Sequence, residues 1–144
     1  MTDRMNHVIE AYIHKYNQKG YVHFDNTTII RNVSLIVVPL MQNILTKYSE
    51  SDFHRKMNGI YTDEYGHRAY GFDFIGDWKK NHPFAFNIAM GFARSYKTRL
   101  RFDVTIATEL IVDIMRSWGW SIRSNEVSGI KHLLWRMRKL IDAA

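Results

Sequence analysis

Four cations fall within eight residues at Arg94, Lys97, Arg99 and Arg101, with Tyr96 and Phe102 interleaved. Guanidinium forks match phosphate oxygens, and an adjacent aromatic ring can stack on a base, so this corner reads as a phosphate grip. The competing reading is a solvated turn whose cations offset the dipole at a helix end. A second group lies in the last stretch, NEVSGIKHLLWRMRKLI. There Lys131, Trp135 and Arg138 share one helix face, with His132, Arg136 and Lys139 beside them, while Val127, Ile130, Leu134, Met137 and Ile141 form the stripe that buries. A tryptophan among cations and outside the apolar stripe suits base stacking or a protein interface. Alternatively it packs laterally with Arg138 over its ring.

The third group is acidic. Asp63, followed by Asp77-Trp78-Lys79, has the outline of two carboxylates that hold a divalent cation and a lysine that positions water, with Asp73 a second choice for the first acid. The surrounding βαβ context of such a nuclease is missing, and Gly76 and Trp78 suit a core strand poorly. The seven histidines form no zinc pair at i, i+4 spacing on a helix, although His54, His67 and His82 lie near acids in the central segment. There is no Gly-rich phosphate loop, nucleophile elbow or cysteine–histidine pair. The expectation is a non-enzymatic protein without cofactor or metal.

These groups must be positioned by a largely helical chain. The segment Asp25–Tyr48 places Ile29, Val33, Ile36/Val37, Leu40/Met41 and Ile44 at three-and-four spacing, capped by Asp25 or Asn26, and becomes apolar nearly all round at Leu35–Met41. It predicts a central helix, with a kink or break at Pro39. A first helix is expected over 3–18 with Gly20 ending it, then an extended link over Tyr21–Phe24. Ser49–Asp52 is placed to cap a short turn, and Asn58-Gly59 marks another. Residues Ile60–Phe74 read as a β-hairpin turning near Gly66. Pro83 opens a helix apolar on nearly every side, either sandwiched or covered by a partner. Asp103 caps Val104–Trp118, Gly119 ends it, and Ser124 or Asn125 caps the last helix. The last two helices invite a helix-turn-helix reading, but the connection from Gly119 to Ser124 is long for that motif.

Twenty aromatics in 144 residues exceed what a helical core of this size needs, and many cluster between Phe53 and Phe92. Tyr65, Tyr70 and Trp78 are the expected anchors of a protein interface, with most phenylalanines assigned to the core. Cysteine is absent, so there is no disulfide framework, and the longest wholly apolar run, Leu35–Met41, is too short to span a bilayer. The formal charge is +6, and the excess lies downstream of residue 50, with fifteen bases against ten acids. That balance favours polyanionic partners.

The sequence therefore points to a single, mainly α domain of about five helices with a small antiparallel hairpin, in the cytoplasm. Its expected function is that of a small basic DNA- or RNA-binding regulator. It would grip phosphates with Arg94, Lys97, Arg99 and Arg101 and stack a base on the Lys131/Trp135/Arg138 face. The alternative is an inhibitor or adaptor that binds a protein through its aromatic surface, and a metal-dependent nuclease is the remote third. The all-round apolar helix from Phe84 to Ala93 also fits a homodimer.

Overall fold

Helix α2 (Phe24–Lys47) is the hub: Ile30, Val33, Ile36, Val37, Leu40, Met41 and Ile44 are all buried. The computed structural model describes residues 2–18, 24–63, 65–95 and 102–143. Among these, seven helices and one two-stranded hairpin make up a mainly α fold. Three partners wrap α2 along its length: α1 (Thr2–Gln18), α5 (Pro83–Ala93) and α6 (Val104–Ser117). The last helix, α7 (Ser124–Asp142), packs on α6 and touches α3 (Glu50–Met57) and α4 (Phe74–Asn81).

Periodicity explains most of this. Met5, Ile9, Tyr12 and Ile13 put the buried face of α1 against α2, as their spacing predicts. Pro39 does not break α2, which continues to Lys47. The surrounding core outweighs the one helical bond that proline cannot make to the Leu35 carbonyl. Residues 27–47 of this helix are also long and apolar enough to cross a bilayer, with a mean hydropathy of 1.4 and 44% of the most apolar window buried in the fold. Helix α2 already runs at Phe24, so Asp25 and Asn26 stand inside its first turn rather than ahead of it. Gly20 and the link over 21–23 lie outside the described residues.

Ser49 caps α3 by accepting from the Asp52 amide at 3.1 Å. Strands β1 (Ile60–Thr62) and β2 (Arg68–Tyr70) pair antiparallel, with Ile60 opposite Tyr70. The Asp63 carboxylate closes their turn by accepting from the Tyr65 and His67 amides at 3.0 and 2.9 Å, and Gly66 takes φ +78°, which a side chain would resist. The hairpin is shorter than expected. Phe74 belongs to a helix, α4, whose cap is Asp73 accepting from the Gly76 amide at 2.9 Å. Asp103 caps α6 as its sequence foretells, and Gly119 leaves it at φ +81°. The cap of α7 falls one residue early, at Arg123, whose amide donates to the Glu126 carboxylate at 2.9 Å.

Candidate nucleic-acid interface

Helix α7 presents its buried stripe, Ile130, Leu133, Leu134, Met137 and Ile141, to the core. At 100° per residue, Lys131, Trp135, Arg138 and Lys139 then fall within about a quarter of the circumference on the outer side. Trp135 is 49% exposed, a large indole half in water. It lines a shallow recess with Phe102, Val104, Thr105 and Arg138. The recess includes the first turn of α6, where the Asp103 carboxylate also lines it and accepts from the Ile106 amide at 2.9 Å.

Arg138 is fixed from both sides: its Nη1 donates to the Phe102 carbonyl and its Nε to Asp142 at 3.2 Å. Arg94, at the end of α5, donates to the Leu140 carbonyl at 3.1 Å, so both described ends of the basic corner are tied to the last turns of α7. The structure thus brings Arg94 to the same end of α7 as Arg138. Lys97, Arg99 and Arg101 lie outside the described residues.

The hairpin completes this surface. Lys139 Nζ stands 5.5 Å from the centre of the Tyr65 ring, and Tyr65 is 51% exposed. Tyr70, more exposed still, lines a groove of about 680 Å³ between β2 and α7 together with Arg68, Asn125, Ser128 and His132. Arg136 fastens the two elements. It is buried, and its Nη1 donates to the Tyr61 hydroxyl at 2.8 Å and to Asp73 at 3.0 Å. The hairpin tyrosines and the cations of α7, which the sequence offers as alternative surfaces, therefore form one.

Two expectations are overturned here. Trp78 is 1% exposed, packed edge-on against Phe86 at 5.1 Å, so it is a core residue of α4 and no interface anchor. Arg136 is not a surface cation beside Trp135 but the buried clamp just described. Sequence spacing places residues on a helix face; it does not reveal what covers that face.

The acidic outline also dissolves. Asp63 is committed to its turn, where backbone amides hold its carboxyl below the usual range. Asp77 accepts from Lys47, Tyr48 and Asn81. Burial alone would raise its pKa, but the hydrogen bonds from Lys47 and Tyr48 and the Lys47 charge outweigh it and the carboxyl is lowered. Lys79 lies 5.9 Å from the Phe86 ring. Asp73 serves Arg136 and the α4 cap. His54 faces the wholly buried Glu126, which also caps α7. Among the described residues, no three acids or histidines cluster to hold a metal. The connection from α6 to α7 is pinned by Ser121 donating to Glu50 at 3.3 Å.

No protein-family description, no characterised protein and no solved structure matches this chain.

Proposed function

We propose that the protein binds nucleic acid, without chemistry of its own, through the outer face of α7 and the hairpin beside it. One observation carries this reading: two half-exposed aromatic rings, Trp135 and Tyr65, stand on a face that also holds Lys131, Arg138 and Lys139. Aromatic platforms flanked by cations suit unpaired bases and their phosphates, each stack contributing about 1–3 kcal/mol. Arg94 adds charge at the C-terminal end of α7, and the chain between Arg94 and Phe102 carries Lys97, Arg99 and Arg101 in its sequence. The net charge of +6 acts in the same direction.

Fluorescence anisotropy with labelled single-stranded DNA and RNA and with duplex DNA, across a salt series, tests this reading. The expected result is binding that weakens steeply with salt and favours single strands. Salt-independent binding, or none at low salt, overturns it. The alternative, a protein-binding adaptor or inhibitor, draws on the exposure of Tyr70 beside the groove along α7. It predicts a stoichiometric protein partner that survives nuclease treatment and is lost in Tyr70→Ala.

A further inference from the structure

A second uncovered apolar surface among the described residues lies elsewhere. Helix α5 buries Phe86, Ala89, Met90 and Ala93 against the core but leaves Phe84 79%, Phe92 58% and Ile88 47% exposed. Leu35 of α2, 41% exposed, continues the patch. These side chains, with Val38 and Pro39, line a groove of about 770 Å³ between α1, α2 and α5. The two phenylalanines alone leave on the order of 270 Å² of aromatic surface in water. With Ile88, Leu35 and the groove wall the patch reaches several hundred Å², the size at which a monomer's largest apolar patch is often functional.

Three features say what covers it. From Pro83 to Ala93 there is no charged residue, so a neighbour can lie along α5 without stripping water from an ion. The surface is both knob and hole: Phe84 and Phe92 project from the rim of the groove they line, as an isologous contact requires. And the rim carries one acid and one base, Glu10 and Arg31, 2.9 Å apart with both side chains 57% exposed. A purely acidic or basic partner would meet one of them with like charge. A two-fold copy meets each with its opposite.

We infer that this face is a two-fold interface. A second copy of the chain seats its Phe84 and Phe92 in the groove while receiving the same residues in return, and Glu10 of each copy meets Arg31 of the other. Fourteen residues line the groove, fewer than the roughly 20 per side of a standard interface. We expect a weak dimer, with a dissociation constant of roughly micromolar order.

Sedimentation velocity on the full chain over a dilution series reads this directly. The mass should move from 17.1 kDa toward twice that value as concentration rises. Phe84→Asp should weaken association by ~30-fold or more, as loss of an aromatic anchor seated in the partner's groove does. Its far-UV circular dichroism should be unchanged, because the side chain is mostly in solvent. Charge reversal supplies the test of symmetry. Glu10→Arg and Arg31→Glu should each remain monomeric alone, yet form a heterodimer when mixed, since only then do opposite charges cross the two-fold axis.

A wild-type chain that stays at 17.1 kDa well above the micromolar range overturns the proposal. So does a mixture of the two charge variants that associates no better than either alone. Binding of a monomer to vesicles of phosphatidylcholine and phosphatidylglycerol, lost in Phe84→Asp, would assign the face to lipid and equally overturn it.

Discussion

The face built on α7 and the face built on α5 both leave large rings in water, but their surroundings differ. On the first face, Trp135 of α7 and Tyr65 of the hairpin turn stand among lysine and arginine, and the guanidinium groups of Arg94 and Arg138 are each held by a backbone carbonyl. On α5 the exposed Phe84 and Phe92 line a groove with a mostly aliphatic wall, in which Asn6, Ser34 and Gln42 are uncharged polar members and one ion pair stands at the edge. A ring among cations can remain hydrated and still wait for a flat, anionic partner. A ring among methyl groups gains only from being covered. Exposed aromatic area is therefore not one signal. Its meaning is set by the charge within one helical turn of it.

The largest effect expected on this contrast comes from the clamp beneath the α7 face. Asp73→Ala removes the cap of α4 and takes one carboxylate away from the buried Arg136 guanidinium. Urea unfolding should show a loss of about 3 kcal/mol, and the hairpin amides should lose hydrogen-exchange protection first. A loss below about 1 kcal/mol would mean that the hairpin is seated by something other than Arg136.

Next in size is Trp135→Ala. It should weaken single-strand binding about tenfold while altering stability by less than about 1 kcal/mol. Unchanged affinity would break the comparison, leaving both faces as packing surfaces. Lys131→Gln sharpens it: affinity should fall modestly and the slope of log affinity against log salt should drop by about 1. An unchanged slope would remove Lys131 from the phosphate contacts.

The smallest effect belongs to a residue on neither face. Burial raises the pKa of Asp113, and Lys15 and Arg116 oppose this without cancelling it. The folded state therefore holds this proton more tightly than the unfolded state does. Its carboxylate costs stability at neutral pH, and that cost fades as pH falls through the raised value. Asp113→Asn should raise thermal stability slightly at pH 7 and give no gain at low pH. A gain of equal size at both would locate the cause in packing rather than ionisation.

Much of the scaffold was legible in the residues. The three-and-four spacing of α1, α2, α6 and α7 marks their buried faces, and Asp103 announces a helix start by side-chain chemistry alone, whereas Ser49, expected to cap a short turn, caps the eight-residue helix α3. Helix α4 was not legible. It is eight residues long, contains Gly76, and follows aromatic strands whose run of rings masks the change of period at Phe74. The union of hairpin and α7 was hidden for another reason. It rests on Arg136 reaching residues 63 and 75 positions away, Asp73 and Tyr61, and helix periodicity carries no information about such a partner. The same blindness turned Trp78 outward and Arg136 with it. Trp135 could be singled out because a bulky ring lay off the apolar stripe, a local property that needs no knowledge of the fold.

The placement of the four tryptophans has a spectroscopic consequence. Trp78 is sealed in the core, Trp120 rests against Phe53, and the Arg4 guanidinium lies 4.5 Å from the centre of the Trp118 ring. Trp135 alone among them is half in solvent. An aqueous quencher such as iodide will therefore reach the emitter on α7 most readily, the partly buried Trp118 and Trp120 less, and Trp78 least. The unlabelled chain carries its own reporter: whatever settles on that helix will shield the red-shifted part of its emission.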